Sequence, residues 1–287
     1  ENILSAAILS GADAIHPGYG FLSENQKFTS MCRDCGIKFV GPHETTMKLM
    51  GNKSKAKKIA KQLGIPVVPG SDEVVTDLNA ARKIAESIGY PIMLKAANGG
   101  GGRGIRAIKN QGEMIKIFNV AKAEATAAFG NGSMYIEKFI QNPKHIEVQV
   151  LCDSYKNVIY FPERDCSIQR KHQKIIEETP SAIVDTNLRK NIGEAAVRLA
   201  KEINYEGAGT VEFLLDDEGN FYFMEMNTRI QVEHGITELV TGIDLVKEQL
   251  KIASGEPLKR NQKDIKILGH AIECRITAED PNTFLPC

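Results

Sequence analysis

The sequence lacks an excess of charge of either sign, since 36 lysines and arginines balance 36 aspartates and glutamates. Proteins that bind nucleic acid or membrane surfaces usually carry a net charge, so this balance argues against both kinds of partner. The chain also lacks an apolar run long enough for a transmembrane helix, and no signal peptide is visible at its start. Because it opens at Glu1 within a helical pattern and stops at Leu285-Pro286-Cys287, we expect a fragment.

Cysteine is scarce and scattered, with six residues in a chain of 287. Cys32 and Cys35 form the one close-spaced pair, and a single pair is poor evidence for a zinc site. We expect these cysteines to be structural, since free cysteines commonly pack as small apolar residues. Their scatter fits a reducing compartment, and we expect a cytoplasmic location, or the mitochondrial matrix or plastid of a eukaryote.

The chain does have an ordinary globular composition, 42% hydrophobic and 25% charged, over a length that suits two or three domains. Strand–helix–strand spacing in the first 42 residues indicates a parallel α/β unit, whereas the later pattern is typical of an α+β arrangement. Pro66-Val-Val-Pro-Gly70 is typical of a hinge into a new domain. We therefore expect three portions, which cover residues 1–66, 67–140 and 141–287.

A predicted β-hairpin near residue 220 carries two carboxylates. Two apolar runs flank the turn signal Asp216–Gly219. If the loop holds an even number of residues, Glu212 and Glu225 project from the same side of the sheet, together with Asn227. Two carboxylates and an amide oxygen suit Mg²⁺. Solvated edge-strand glutamates are the alternative, but both glutamates lie among apolar residues, where a bare carboxylate is costly to bury.

The glycine-rich stretch Gly99–Gly104 is the second strong signal. Glycines let a backbone approach a phosphate closely and direct N–H groups at it. A P-loop or dinucleotide-binding loop joins a strand to a helix, but this loop joins two predicted strands. The pattern therefore indicates a flap that closes over a triphosphate, with Lys95 at its base and Arg103 within it. A plain flexible loop is the alternative.

Other segments give local predictions. Ser23 is a candidate cap for the helix that ends near Cys35, and a lysine-rich helix is expected over residues 44–64. The polar run 163–174 fits neither a helical nor a strand period. The lysine and arginine side chains of this run could face either solvent or a bound anion. We expect an anion, because a metal–phosphate site is predicted nearby and opposite charges attract. The turn His16–Gly20 follows a strand, where ligands of parallel sheets bind, although an ordinary turn explains it equally well.

Six segments, spread over essentially the whole chain, carry a resemblance to a known family. They are His16-Pro-Gly-Tyr-Gly-Phe-Leu-Ser-Glu-Asn25, Gly99 to Gly104, Glu163-Arg-Asp-Cys-Ser167, Arg170-Lys-His-Gln-Lys174, Glu225-Met-Asn-Thr-Arg-Ile-Gln-Val-Glu-His234 and Glu273-Cys-Arg-Ile-Thr-Ala-Glu-Asp-Pro281. Together they resemble the biotin carboxylases of the ATP-grasp superfamily, most of all the separate subunit of acetyl-CoA carboxylase. The resemblance implies an ATP-grasp fold and a fragment of a three-domain enzyme. Residues 1–66 would then complete the N-terminal domain and a linker, 67–140 would form the lid domain, and 141–287 a truncated C-terminal domain.

The resemblance also implies a reaction. ATP would activate bicarbonate as carboxyphosphate, which yields CO₂, and CO₂ would carboxylate N1′ of biotin. This would be the first half-reaction of acetyl-CoA carboxylase, an enzyme of fatty acid synthesis. The cofactors would be ATP and Mg²⁺, as one or two ions or replaced by Mn²⁺, with bicarbonate and carried biotin as substrates. The partners would be a biotin carboxyl carrier protein, a carboxyltransferase component and a second copy of the full-length chain.

The resemblance assigns roles to individual residues. The residues expected to contact ATP or its phosphates are Lys53, Lys95, Gly100, Gly101, Gly102, Gly104, Glu137, Lys138, His145, Gln169 and His172. Those expected at Mg²⁺ are Glu212, Glu225 and Asn227. Those expected to bind bicarbonate are Lys174, Arg229, Gln231 and Val232. Glu233 would be the general base, which suits a carboxylate; Arg275 would stabilise the biotin enolate, with Tyr19 near the biotin ring.

The chain departs from the family pattern at Gly235, where a proline usually follows Glu-His, and at Cys287.

Three alternatives to the acetyl-CoA carboxylase subunit remain open. The chain could belong to a pyruvate or propionyl-CoA carboxylase, to another ATP-grasp ligase that uses an acyl phosphate, or to a degenerate nucleotide-binding module. No Ala-Met-Lys-Met biotinylation motif occurs in the 287 residues, so we expect biotin to be carried on another chain or segment.

Overall fold

The computed structural model describes residues 1–97, 104–170, 173–280 and 283–284. The chain divides into two compact units, which are described separately below. Unit 1 combines residues 1–66 with residues 144–287, and unit 2 runs from Val67 to Pro143. Unit 2 therefore begins where the hinge was predicted, while the separation of the first and third expected portions stays a prediction.

Both units contain helices and strands. The helices are α1 (Asn2–Ser10), α2 (Gln26–Asp34), α3 (Glu44–Met50), α4 (Lys53–Gln62), α5 (Leu78–Ile88), α6 (Gln111–Phe129), α7 (Thr186–Glu202), α8 (His234–Thr241) and α9 (Leu245–Ala253), with a 3₁₀ turn at Gln262–Asp264. The strands are β1 (Ala14–Ile15), β2 (Lys38–Phe39), β3 (Ile92–Ala96), β4 (Ile105–Ile108), β5 (Met134–Lys138), β6 (Lys144–Cys152), β7 (Val158–Tyr160), β8 (Arg164–Arg170), β9 (Gln173–Thr179), β10 (Gly207–Leu215), β11 (Phe221–Asn227) and β12 (Ala271–Cys274). Within the described ranges, no helix is both long and apolar enough to cross a membrane.

Unit 1 is built on a large antiparallel sheet with the strand order β11-β10-β6-β8-β9-β12, and β7 pairs with β6 beside this path. The predicted parallel pair of the first 42 residues is confirmed, since β1 and β2 run parallel. Helices α7 and α9 pack against β6, β7 and β10, and an apolar core connects Phe161 and Ala208 with Leu245 of α9. This sheet carries the predicted metal residues on β10 and β11, and the predicted base Glu233 directly precedes α8.

Unit 2 is a three-stranded antiparallel sheet with the order β4-β3-β5, packed against α5 and α6. Its core contains Ile92, Leu94 and Ile108 from the sheet, with Met114 and Phe118 from α6. Asp77 caps α5 by accepting a hydrogen bond from the Ala80 backbone, which satisfies one of the free N–H groups at a helix start. The predicted antiparallel strands on either side of the glycine stretch are confirmed as β3 and β4.

Three local predictions are wrong. Asn25, not Ser23, caps α2, because its side chain accepts a hydrogen bond from the Phe28 backbone while Ser23 is buried in the preceding turn. The helix expected over residues 44–64 is two helices, and Asn52 caps the second one. The break follows from Gly51 and Asn52, a glycine and a good capping residue in sequence.

The polar run 163–174 is also not irregular, because β8 and β9 occupy most of it and pair with each other. Arg164 is charged but fully buried. A charged residue on the buried face interrupts the alternation of apolar and polar residues that marks a strand, so the sequence did not show β8. Helix α8 had no prediction at all.

Candidate active site

The hairpin of β10 and β11 places Glu212 opposite Glu225, although not in the way that was expected. The loop is residues 216–220, so its length is odd and the assumed even loop is absent. A β-bulge next to Glu212 leaves Met224 as an extra residue on β11 and brings Glu212 and Glu225 into register. Directly opposed residues share one face of a sheet, so the predicted pairing of the two carboxylates is correct.

The predicted metal residues provide oxygen ligands on this face. The Glu225 carboxylate pairs with Lys53 at 2.9 Å, and Asn227 Nδ2 donates to Glu212 Oε1 at 2.8 Å. Asn227 Oδ1 accepts from Arg229 at 3.2 Å. Two carboxylates and an amide oxygen are the donor chemistry that Mg²⁺ prefers, so the residues fit the ion.

Strand β6 contributes a polar row of which the sequence analysis predicted only His145. His145, Glu147 and Gln149 alternate along the strand, and Glu147 lies directly opposite Glu212. On its other side Glu147 is in register with Arg164, which donates to it at 2.6 Å. Glu147 and Arg164 are both fully buried. The period-two placement of polar residues in an otherwise apolar strand was the signal that could have revealed Glu147.

Lys174 joins three buried carboxylates. Its ammonium group donates to Glu147 at 2.5 Å, to Glu212 at 3.1 Å and to Glu233 at 2.7 Å. Burial disfavours the charged lysine, but the carboxylates of Glu147 and Glu212 outweigh burial and raise the pKa of Lys174 well above its usual range. Lys174 is therefore a permanent cation among its carboxylate partners.

Glu212 is the most heavily bonded of these carboxylates. Its Oε1 accepts from Asn227, Gln231 and Lys174, and its Oε2 lies 3.1 Å from His145 Nε2. Burial opposes ionisation, but His145 and Lys174 hold the pKa of Glu212 far below its ordinary value. Burial likewise lowers the pKa of His145, yet Glu212 more than reverses that effect and raises it. The other ring nitrogen of His145 lies 3.0 Å from the Gln169 amide.

Glu233, the predicted base, lies between two cations. Only 2% of its surface is exposed, and it accepts from Lys174 at 2.7 Å and from Arg275 Nη2 at 2.9 Å. Glu177 holds Arg275 from the other side, with Arg275 Nε donating to it at 2.7 Å. Burial raises the pKa of Glu177, and Arg275 offsets part of that rise. Glu177 is a second partner of the arginine that the sequence analysis missed.

Arg229 lies at the end of the hairpin, where Glu24 holds it in place. The Glu24 carboxylate accepts from Arg229 Nε at 2.9 Å and from the backbone and hydroxyl of Thr228 at 2.8 and 2.9 Å. Glu24 and Arg229 are 205 positions apart in the chain, so no local pattern in the sequence could show this contact.

The remaining predicted residues are less connected. Gln231 is buried between Glu212 and Arg164, whereas Tyr19 and Val232 are 55% and 37% exposed. In unit 2, Lys95 pairs with Glu137, Lys138 donates to the carbonyls of Gly89 and Tyr90 at 3.0 and 2.9 Å, and Gly104 has a left-handed φ of 76°. Five of the predicted residues lie outside the described part of the chain, namely Gly100, Gly101, Gly102 and Arg103 of the predicted flap, and His172.

Comparison with known proteins is consistent with this geometry. Residues 52–261 match the family described as "Carbamoyl-phosphate synthase L chain, ATP binding domain", and residues 1–47 match "Biotin carboxylase, N-terminal domain". The chain is 56% identical to the chloroplastic biotin carboxylase of Arabidopsis thaliana over 98% of its own length and 52% of that protein.

Two solved structures share the fold. The biotin carboxylase from Campylobacter jejuni, described as a "beta-gamma-ATP" complex, is 55% identical with a TM-score of 0.88, covering 99% of this chain and 64% of that one. The biotin carboxylase domain dimer of the Hydrogenobacter thermophilus 2-oxoglutarate carboxylase, in complex with MgADP, ADP and bicarbonate, is 52% identical with a TM-score of 0.87, covering 99% and 63%.

The chain thus spans roughly half to two thirds of the relatives that it matches. The expected ATP-grasp fold and the resemblance to biotin carboxylases are confirmed. The chain belongs to the family of the carbamoyl-phosphate synthase L chain ATP-binding domain and, within that ATP-grasp group, to the biotin carboxylases.

Proposed function

We propose that the full-length protein carboxylates biotin with bicarbonate at the expense of ATP, through carboxyphosphate. The observation that carries the proposal is the Glu233 carboxylate, buried and held 2.7 Å from Lys174 and 2.9 Å from Arg275. The two cations can hold an anionic substrate such as bicarbonate beside a carboxylate that is positioned to take its proton. The relatives described with "beta-gamma-ATP" and with MgADP, ADP and bicarbonate support a nucleotide and bicarbonate as ligands.

The proposed first step uses Glu233 as the general base. Glu233 takes the proton of bicarbonate, and the freed oxygen attacks the γ-phosphorus of ATP. The new O–P bond forms as the bond to the bridging oxygen breaks, which releases ADP and leaves carboxyphosphate. Lys174 and Arg229 supply positive charge for bicarbonate, and the planar guanidinium of Arg229 matches a planar oxyanion. Gln231 and Val232 complete the proposed bicarbonate contacts.

In the proposed second step carboxyphosphate splits into CO₂ and phosphate, the phosphate takes the N1′ proton of biotin, and N1′ forms its new bond to CO₂. Negative charge develops on the ureido oxygen of biotin, and a fixed cation lowers the energy of that charge. Arg275 is such a cation, since Glu177 and Glu233 hold its guanidinium. Tyr19, which is exposed, is the residue proposed to lie near the biotin ring.

Nucleotide and metal binding are assigned to a wider set of residues. The proposed ATP contacts are Lys53, Lys95, Gly100, Gly101, Gly102, Gly104, Glu137, Lys138, His145, Gln169 and His172. Glu212, Glu225 and Asn227 would hold Mg²⁺, which when bound neutralises charge on the transferring phosphoryl group. Lys53 already pairs with Glu225 at 2.9 Å, so a cation is stabilised beside one of these ligands.

The proposed partners are a biotin carboxyl carrier protein and a carboxyltransferase component, as in acetyl-CoA carboxylase, with a homodimer as the assembly. The Hydrogenobacter thermophilus relative belongs to a 2-oxoglutarate carboxylase, so similar chains serve other acceptors. Reconstitution with a carboxyltransferase for acetyl-CoA, pyruvate or 2-oxoglutarate would identify the acceptor.

The test of the proposed function is ADP release by the full-length protein with Mg-ATP and free biotin, measured with and without bicarbonate. We expect turnover that requires both bicarbonate and biotin. Glu233→Gln should abolish it, whereas Glu206→Gln, the same change in a surface pair with Lys38, should leave it unchanged. Turnover indifferent to bicarbonate would overturn the proposal, and a screen of amine acceptors would then test for another ATP-grasp ligase.

A further inference from the structure

Arg164 is buried in the middle of the unit 1 sheet, beneath the residues assigned to catalysis. Its side chain is fully buried, yet no role follows for it from the proposed function. The guanidinium group has five N–H donors and no acceptor. A fully buried arginine is rare, and the structure provides a partner for each of the five donors, as buried polar groups require.

Those five donors meet five different oxygen atoms. Nε donates to Glu147 at 2.6 Å, Nη1 to Gln149 and Thr237 at 3.1 and 3.0 Å, and Nη2 to Thr210 and Gln231 at 3.2 and 2.7 Å. The contacts to Glu147 and Gln231 are the shortest, and both of these residues touch the site directly.

The contact with Gln231 determines which way its amide group faces. Because Arg164 can only donate, Gln231 has to present Oε1 to it, and this leaves Nε2 directed at Glu212 Oε1, 3.0 Å away. A reversed amide would place N–H against N–H on one side and oxygen against carboxylate on the other. Arg164 therefore makes Gln231 a hydrogen-bond donor toward Glu212.

The contact with Glu147 acts on Lys174. Glu147 Oε1 accepts from Arg164 and its Oε2 accepts from Lys174, at 2.6 and 2.5 Å. Glu147 therefore has two cationic partners, Arg164 and Lys174, and its negative charge is shared between them. Lys174 can then also bond Glu212 and Glu233.

We propose that Arg164 is a positioning residue, which orients Gln231 toward Glu212 and sets the place of Lys174 through Glu147. This inference deepens the proposed function and rests on it for its kinetic consequence, because Gln231 and Lys174 are the proposed bicarbonate contacts. Arg164 itself touches neither substrate nor metal in this assignment.

Arg189 offers a matched control, since it is also an arginine paired with a buried glutamate. It donates to both oxygens of Glu163 at 2.6 and 2.8 Å and to the Val184 carbonyl at 3.0 Å. None of these partners is a residue assigned to the site. A purely structural arginine should therefore behave like Arg189, and a positioning arginine should not.

The test compares Arg164→Lys with Arg189→Lys in the full-length protein. Lysine keeps the charge but lacks the planar fork of five donors, so it cannot reproduce the separate contacts of Nε with Glu147 and of Nη2 with Gln231. We expect Arg164→Lys to lower kcat for bicarbonate-dependent ADP release by roughly 10–100-fold, the usual effect of losing a supporting contact, and to change the KM for ATP little. Arg189→Lys should change neither.

A double-mutant cycle separates positioning from general loss of structure. Gln231→Leu removes the group that Arg164 orients, so Arg164→Lys should add little further loss in that background. Arg189→Lys and Gln231→Leu should instead combine additively. Full additivity between Arg164→Lys and Gln231→Leu would overturn the inference.

A second readout needs no turnover. The side-chain amide signal of Gln231 in a ¹H–¹⁵N spectrum, assigned by its absence in Gln231→Leu, should shift and exchange faster in Arg164→Lys but not in Arg189→Lys. An unchanged signal would overturn the inference about Arg164, whatever the activity of the wild type. A wild type without bicarbonate-dependent turnover would instead contradict the proposed function and leave this spectral test valid. If Arg164→Lys does not fold, Thr210→Val removes one acceptor of Nη2 and should move the same signal.

Discussion

Glu147 and Glu212 lie directly opposite each other on neighbouring strands and accept hydrogen bonds from the same Lys174 ammonium group, at 2.5 and 3.1 Å. Glu147 and Glu212 are buried, with 0% and 4% of their surface exposed. Two like charges in register would repel each other strongly without a cation between them. Lys174 is thus a structural requirement of the site as well as a proposed ligand of bicarbonate.

Replacing Lys174 with methionine should therefore destabilise the fold. Lys174→Met leaves buried carboxylates without their shared cation, and breaking a buried ion pair in this way costs about 3–5 kcal/mol. Urea denaturation of the full-length protein measures the loss in the free energy of unfolding. Lys38→Met, which removes a surface partner of Glu206, should cost only about 0–1 kcal/mol. Equal losses in both variants would contradict this account of the network.

Glu24→Gln should weaken bicarbonate use without destroying turnover. The change removes the charge that holds Arg229 Nε at 2.9 Å, and a hydrogen bond between charged groups is worth about 1.5–3 kcal/mol. We expect the KM for bicarbonate to rise about tenfold or more, with the KM for ATP nearly unchanged. Glu44→Gln, which alters a pair with the exposed Arg33, is the control. A KM for bicarbonate like that of the wild type would show that Glu24 does not position Arg229.

Glu225→Gln should raise the Mg²⁺ concentration needed for half-maximal activity. The variant removes one of two opposed carboxylates, and hard cations bind charged oxygen far better than an amide. A Mg²⁺ titration at fixed ATP should show a shift on the order of tenfold or more. Glu218→Gln changes an exposed carboxylate in the turn of the same hairpin and should show no shift. Identical titrations for both variants would argue against Glu225 as a ligand.

Asp153 should make the stability of unit 1 depend on acid pH. Burial disfavours its charge, but hydrogen bonds from Asn157 and from the Leu258 and Tyr155 backbone lower the pKa of Asp153 below its usual value. A lowered native pKa means that the group adds stability above its unfolded pKa of about 3.9 and loses it as pH falls through the native pKa.

The check is the free energy of unfolding of wild type and Asp153→Asn between neutral and acid pH. The wild type should be the more stable at neutral pH, and the difference should shrink as pH falls below about 4. Asp217→Asn, a change at an exposed turn aspartate, should give a small difference at every pH. A difference for Asp153→Asn that grows toward acid would reverse the predicted sign.

The sequence could show the elements of the hairpin but not how its register arises. Alternation of apolar residues and a turn signal are local, and they predicted the strands that carry Glu212 and Glu225. The bulge at Met224 depends on how β11 fits β10 over its whole length. The assumption of an even-numbered loop was therefore wrong, although the predicted pairing of Glu212 with Glu225 was right.

The partners of the site residues could not be predicted because they come from distant parts of the chain. Glu24 reaches Arg229 across 205 positions, and Arg164 reaches Gln231 across 67. Arg164 also prevented the prediction of β8, because a buried charged residue interrupts the alternation of apolar and polar residues that marks a strand. The family resemblance predicted roles for residues in the matching motifs. The contacts of Glu147, Arg164 and Glu177 with these residues became visible only in the sheet register and the side-chain hydrogen bonds.

The most direct test of the central claim is the transfer of isotope-labelled bicarbonate to free biotin by the full-length protein with Mg-ATP. The account predicts labelled carboxybiotin in step with ADP, lost in Glu233→Gln and retained in Glu206→Gln. ADP release without any label on biotin, or full labelling by Glu233→Gln, would contradict it.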